Sequence, residues 1–83
     1  MSNRVPYSYL ELEYIEREYD EQVPLRVIAE NVNEEFHAAS LVRTPASISY
    51  AVNRYYNDSE WVSRLEEKWL SEVSADDKRS QNG

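Results

Sequence analysis

Apolar residues recur at helical spacing in four stretches of the chain, separated by short polar breaks. The first stretch opens with Tyr7-Ser8-Tyr9-Leu10-Glu11, the form of a capping box, in which the Ser8 hydroxyl accepts from the Glu11 backbone N–H and the Glu11 carboxylate reaches back to Ser8. Tyr7 before the cap and Leu12 after it are spaced for a hydrophobic staple, and Leu12, Ile15 and Tyr19 continue one apolar face. Asp20-Glu21-Gln22-Val23 interrupts the pattern, and Pro24 suits the first position of a new helix, where its missing N–H costs nothing. Leu25, Ile28, Ala29, Val32 and Phe36 then predict a second helix from about Pro24 to about Phe36.

The segment 37–42 reads as a connector or a fraying helix end. Thr44-Pro45 is the next start signal, with Thr44 as N-cap and Pro45 at the first helical position. Ile48, Ala51, Val52 and Tyr55 form the inward stripe of a third helix ending near Tyr56. Asp58 or Ser59 caps a fourth, in which Val62, Leu65, Trp69 and Val73 line up with Trp61 and Leu70 beside them. The predicted fold is all-α: a three-helix core over 7–57, an appended amphipathic helix over 58–74, a flexible N-terminus over 1–6 and a disordered tail over 75–83.

With 83 residues the chain forms one domain with a small core, and each helix is too short to stand alone in water. Cysteine is absent, which excludes disulfides, thiolate metal sites and a cysteine nucleophile. No apolar run reaches the roughly 18 residues a membrane span needs, and the N-terminus lacks the apolar stretch of a secretory signal. The expected location is therefore intracellular, in the cytoplasm and nucleoid or in a nucleus.

Catalytic chemistry is scarce. His37 is the lone histidine; Glu34 and Glu35 lie within a turn of it, but the plainer reading is a surface residue at a helix end. Carboxylate pairs such as Glu16 with Asp20, or Glu30 with Glu34, read as solvated helix faces. The single glycine, Gly83, excludes a glycine-rich phosphate loop. No enzymatic activity, cofactor, metal or small-molecule substrate is expected.

Charge changes the picture most. The net charge is −7, yet residues 41–57 contain Arg43 and Arg54 and no acid. Phosphate neutralisation supplies much of the affinity of nucleic-acid complexes, so one locally basic segment inside an acidic chain marks the place to look. Opposite the apolar stripe, the third helix presents Ser47, Ser49, Tyr50, Asn53 and Arg54. Asn can pair with adenine, Arg with guanine, and Tyr with a phosphate or a thymine methyl, so this face is a candidate DNA contact.

These features resemble a known family. Tyr7-Ser8-x-x-Glu11-x-x-x-Ile15, Leu25-x-x-Ile28-Ala29-Glu30 and Arg43-Thr44-Pro45-x-x-Ile48 together resemble the Myb/SANT-like domain over roughly Tyr7 to Tyr56. Where that family carries three spaced tryptophans this chain has Tyr7, Leu25 and Val52, and the connector from Glu30 to Arg43 is longer than in the simplest members. The resemblance implies that the three-helix core over 7–57 is a helix-turn-helix with a DNA-reading third helix in a transcription-regulating protein, with base contacts falling on Ser49, Tyr50 and Asn53. It implies DNA-backbone positioning by Arg43, Thr44 and Arg54.

A second expectation follows from the acidity and from a fourth helix that a three-helix core does not require. The domain would then be a protein-interaction module that grips a basic partner through Glu13, Glu16, Glu30 and Glu34, or that forms a homodimer through Trp61, Leu65 and Trp69. Arginine outnumbering lysine seven to two in an acidic chain also suits a high-salt cytoplasm.

Overall fold

The computed structural model describes the backbone of residues 5–82 and the side chains of residues 5–74. The described residues form four helices: α1 (Tyr9–Asp20), α2 (Leu25–Phe36), α3 (Pro45–Asn57) and α4 (Ser59–Asn82). There is no strand among the described residues. α4 runs to Asn82, past the expected end at 74, so the expected tail is helical backbone over 75–82; Gly83 and residues 1–4 of the expected N-terminal arm lie outside the described residues.

Local chemistry accounts for most helix ends. At the start of α1 the Ser8 hydroxyl accepts from the Glu11 N–H at 3.2 Å. The reciprocal half of the expected capping box is not made, because the Glu11 carboxylate turns into the interior. α1 ends in a Schellman motif, with Val23 N–H donating to the Glu18 carbonyl at 3.1 Å and Gln22 N–H to that of Tyr19 at 3.0 Å. Gln22 holds the left-handed position, φ 65°, that glycine usually takes. Pro24 is the N-cap of α2 and not its first residue, so the helix starts one residue later than expected, and Pro24 supplies no side-chain cap.

α3 has the complete reciprocal cap: Thr44 Oγ1 accepts from the Ser47 N–H and Ser47 Oγ from the Thr44 N–H, with Pro45 in the first turn. Asp58 rather than Ser59 caps α4, its Oδ1 accepting from the Trp61 N–H at 3.1 Å.

The first three helices pack against one another, and α4 lies across α3 and α1. Leu12 and Ile15 from α1, Ile28, Ala29 and Val32 from α2, and Ile48, Ala51 and Val52 from α3 form the buried core. Each fully buried Leu or Ile contributes about 1.5–3 kcal/mol relative to an exposed position, which supplies the stability that isolated helices of 12 or 13 residues lack. Tyr19, expected on the apolar face of α1, is 44 % exposed because the chain turns away after Asp20.

Residues 37–44 join α2 to α3. Ala38 and Ala39 adopt left-handed backbone, φ 52° and 67°, and Asn33 holds the connector from inside. Its side chain accepts from the Arg43 N–H at 2.8 Å and donates to the Arg43 carbonyl at 3.0 Å. None of the helices is long and apolar enough to cross a membrane.

Candidate nucleic-acid interface

The outward side of α3 is open as its periodicity predicts. Tyr50 is 48 % exposed and Asn53 is exposed, while Ile48, Ala51 and Val52 face the core and Tyr55 is half-buried against it. Ser49 is half-buried between Ala46 and Asn53. Asn57 extends the same stripe, its Nδ2 donating to the Asn53 carbonyl at 2.8 Å; it lies one residue past the expected helix end near Tyr56, although its i, i+4 spacing from Asn53 marks it. The exposed stripe is thus Ala46, Tyr50, Asn53 and Asn57 with the half-buried Ser49 among them, rich in hydroxyl and amide groups and without a charge of its own.

Neither cation of the locally basic segment is free. Arg43, expected to contact a DNA backbone, is buried at 6 % exposure. Its guanidinium forms a two-pronged pair with the carboxylate of Glu11, one arm being Nη2 to Oε1 at 2.9 Å. Nη1 and Nη2 also donate to the carbonyls of Val5 and Pro6, and the group lies 3.8 Å from the Tyr7 ring centroid. Arg43 is a structural residue because it satisfies a buried carboxylate and ties the N-terminal segment to the start of α3.

His37 completes this cluster. Its Nε2 lies 2.9 Å from Glu11 Oε2, and its side chain is 12 % exposed, so it is not the surface residue expected from its place at a helix end. Burial pushes the Glu11 carboxyl up, but the hydrogen bonds and charges of Arg43 and His37 outweigh it and hold the group below its ordinary value. No buried side-chain polar atom among the described residues lacks a hydrogen-bond partner.

Arg54 is committed in a different way. Its Nε donates to Asp58 Oδ2 at 3.1 Å, its Nη1 to the Tyr50 hydroxyl at 2.8 Å, and its guanidinium lies 4.4 Å from the Trp61 ring centroid. The Asp58 carboxyl is held low first by the Trp61 N–H and then by Arg54. Arg54 therefore joins α3 to α4, and Asp58, immediately outside the acid-free segment, offsets its charge. Thr44 and Ser47 are also occupied, their hydroxyls closing the α3 cap. The Ser47 carbonyl accepts from the Tyr7 hydroxyl at 2.8 Å.

The face of α4 expected to bind a second copy is turned inward. Trp61 meets Tyr7 edge-on at 5.9 Å, Leu65 packs against the core, and Trp69 lies 5.4 Å from Tyr9 between ring centroids. These three residues explain why a fourth helix is needed: it covers the start of α1 and one flank of α3. Among its described side chains, the large apolar residues that α4 leaves exposed are Leu70 and Val73.

Of the acids expected to meet a basic partner, Glu13, Glu30 and Glu34 are exposed, while Glu16 is half-buried and accepts from the Tyr56 hydroxyl at 3.0 Å. No group of three or more potential metal ligands gathers among the described residues. No protein-family model, curated protein or solved structure matches the chain.

Proposed function

We propose that this domain binds duplex DNA by laying the outward side of α3 in the major groove, as the recognition helix of a Myb/SANT-like helix-turn-helix. The observation that carries the reading is the stripe of Tyr50, Asn53 and Asn57, open to solvent, with Ser49 half-buried beside them and no carboxylate among the four. A helix fits the major groove, and these groups can donate to and accept from base edges and phosphates. With Arg43 and Arg54 engaged elsewhere, recognition rests on hydrogen bonding and shape more than on charge. Transcription regulation is the role that such a module serves.

Titration of the protein into fluorescent random-sequence duplex at low salt tests this. Binding tighter than about 100 μM supports it, and weaker binding counts against it. Tyr50→Ala and Asn53→Ala are each expected to weaken binding by about tenfold, the worth of one good base contact. Asn53→Ala leaves thermal unfolding nearly unchanged at its exposed position, whereas Tyr50→Ala also lowers stability, because the Tyr50 hydroxyl accepts from Arg54 and its ring lies against Tyr7 and Trp61.

One observation favours a second reading. Glu13, Glu30 and Glu34 are exposed and make no ion pair among the described residues, which suits a module that grips a basic protein. Charge reversal at Glu13, Glu30 and Glu34 separates the two: it abolishes protein capture under this reading and strengthens DNA binding under the first.

A further inference from the structure

At the opposite end of α3 from its cap, a cleft of about 470 Å³ opens between the end of α1, the start of α2 and the last turn of α3. Its walls include two tyrosine rings that the fold leaves open, Tyr19 at 44 % and Tyr56 at 57 % exposure. Val23, Pro24 and Leu25 give it an apolar side, and Asp20 stands at its edge. We infer that this cleft receives an arginine side chain from a partner protein, with the guanidinium between the tyrosine rings and Asp20 and the methylenes against Val23, Pro24 and Leu25.

Three features of the cleft favour a long cationic side chain. Aromatic faces attract a guanidinium through the ring quadrupole, and more strongly when it is partly desolvated. The carbonyl ends of two helices, α1 and α3, converge here, and helix C-termini favour positive charge. Asp20 and Glu21 close α1 at the end where the helix dipole disfavours carboxylates, and neither has an ion-pair partner among the described residues. A bound cation would relieve that unfavourable placement.

The neighbouring Glu16 carboxylate, fixed by the Tyr56 hydroxyl at 3.0 Å, adds negative charge from the side of α1. The start of α2 brings a positive helix end to the same cleft, which places the cation toward Asp20 and Tyr56 and leaves Pro24 to the apolar stem. A bare metal ion would use none of the apolar surface, and an anion would meet Asp20, Glu16 and two carbonyl ends. The site lies off the Ser49, Tyr50, Asn53 stripe, so it can operate whether or not that stripe binds DNA.

The test is an NMR titration of the whole chain with a capped Gly-Gly-Arg-Gly-Gly peptide at low salt, against the same peptide carrying citrulline, the neutral isostere of arginine. The expected result is saturable shifts centred on Gln22, Val23 and Tyr56, at least about threefold weaker with citrulline, since the charge contributes on the order of 0.5–1 kcal/mol at an exposed ring. Tyr56→Ala and Tyr19→Ala should each reduce binding while preserving the helical spectrum, and agreement between the two guards against a local folding artefact. Absent shifts, equal binding of citrulline, or shifts centred on the α4 acids Glu66 and Glu67 would overturn the inference.

Discussion

The guanidinium of Arg43 and the carboxylate of Glu11 meet in the interior, Nη2 to Oε1 at 2.9 Å, and join residues 32 positions apart. Both side chains are nearly inaccessible, at 4 % and 2 % exposure. The pair fixes the start of α3 against the first turn of α1, and His37 and Asn33 bring the end of α2 to the same point. One of the two cations of the acid-free segment is thereby an organiser of the fold.

Breaking this pair from one side strands a buried charge. Glu11→Leu and Arg43→Met are each expected to cost about 3–5 kcal/mol, and the two combined to cost clearly less than the single changes added together. Urea unfolding followed by circular dichroism measures this. If a single variant fails to fold, the double variant should recover a cooperative transition; strict additivity would contradict the pairing.

Acid should act through the same carboxylate. Because Glu11 is held below its ordinary value of 4.5, its contribution to stability is present above that value and disappears as pH falls through the lower value of the folded state. The melting temperature of the native protein should therefore drop as pH falls below the ordinary value of 4.5, with a shallower dependence in Glu11→Gln. Parallel curves for the two proteins would be the contrary result.

The contact between α3 and α4 turns on Arg54, Asp58 and Trp61. Trp61→Ala removes a half-buried ring from Tyr7 and Arg54 and is expected to cost about 2–3 kcal/mol, somewhat under the usual value for a fully buried tryptophan. Asp58→Ala deletes the cap of α4, so hydrogen exchange at the Trp61 amide should accelerate while the α1 amides keep their protection.

Salt should affect DNA binding only mildly. With Arg43 buried and Arg54 paired to Asp58, few phosphates can be neutralised by α3. The slope of log affinity against log salt is expected to be about −2 or shallower. A slope of about −6 or steeper would mean that another, basic surface carries the contact.

Helix positions were legible because their signals are local. Ser8, Thr44 with Pro45, and Asp58 each sit at a helix start, and the apolar period placed Ile48, Ala51 and Val52 inward with Tyr50 and Asn53 outward. What misled was the fate of individual charges, which is decided through space. Nothing near Glu11 in the chain announces Arg43, and a solvated glutamate and a buried one look alike within a helical period. Arg54 with Asp58 was within reach, since i, i+4 is the ordinary spacing of a helical ion pair, but Asp58 fell just beyond the end assigned to the third helix. The spacing of Trp61, Leu65 and Trp69 marks an apolar face in need of cover without saying what covers it, and the cover is Tyr7, Tyr9 and the core of the same chain.

The most direct measurement is a backbone amide NMR titration of the whole chain with duplex DNA at low salt. The account predicts that the largest shift changes fall on Ser49, Tyr50, Asn53 and Asn57, with Glu13, Glu30 and Glu34 unmoved. Changes confined to α1, α2 or α4, or none at all at saturating duplex, would contradict it.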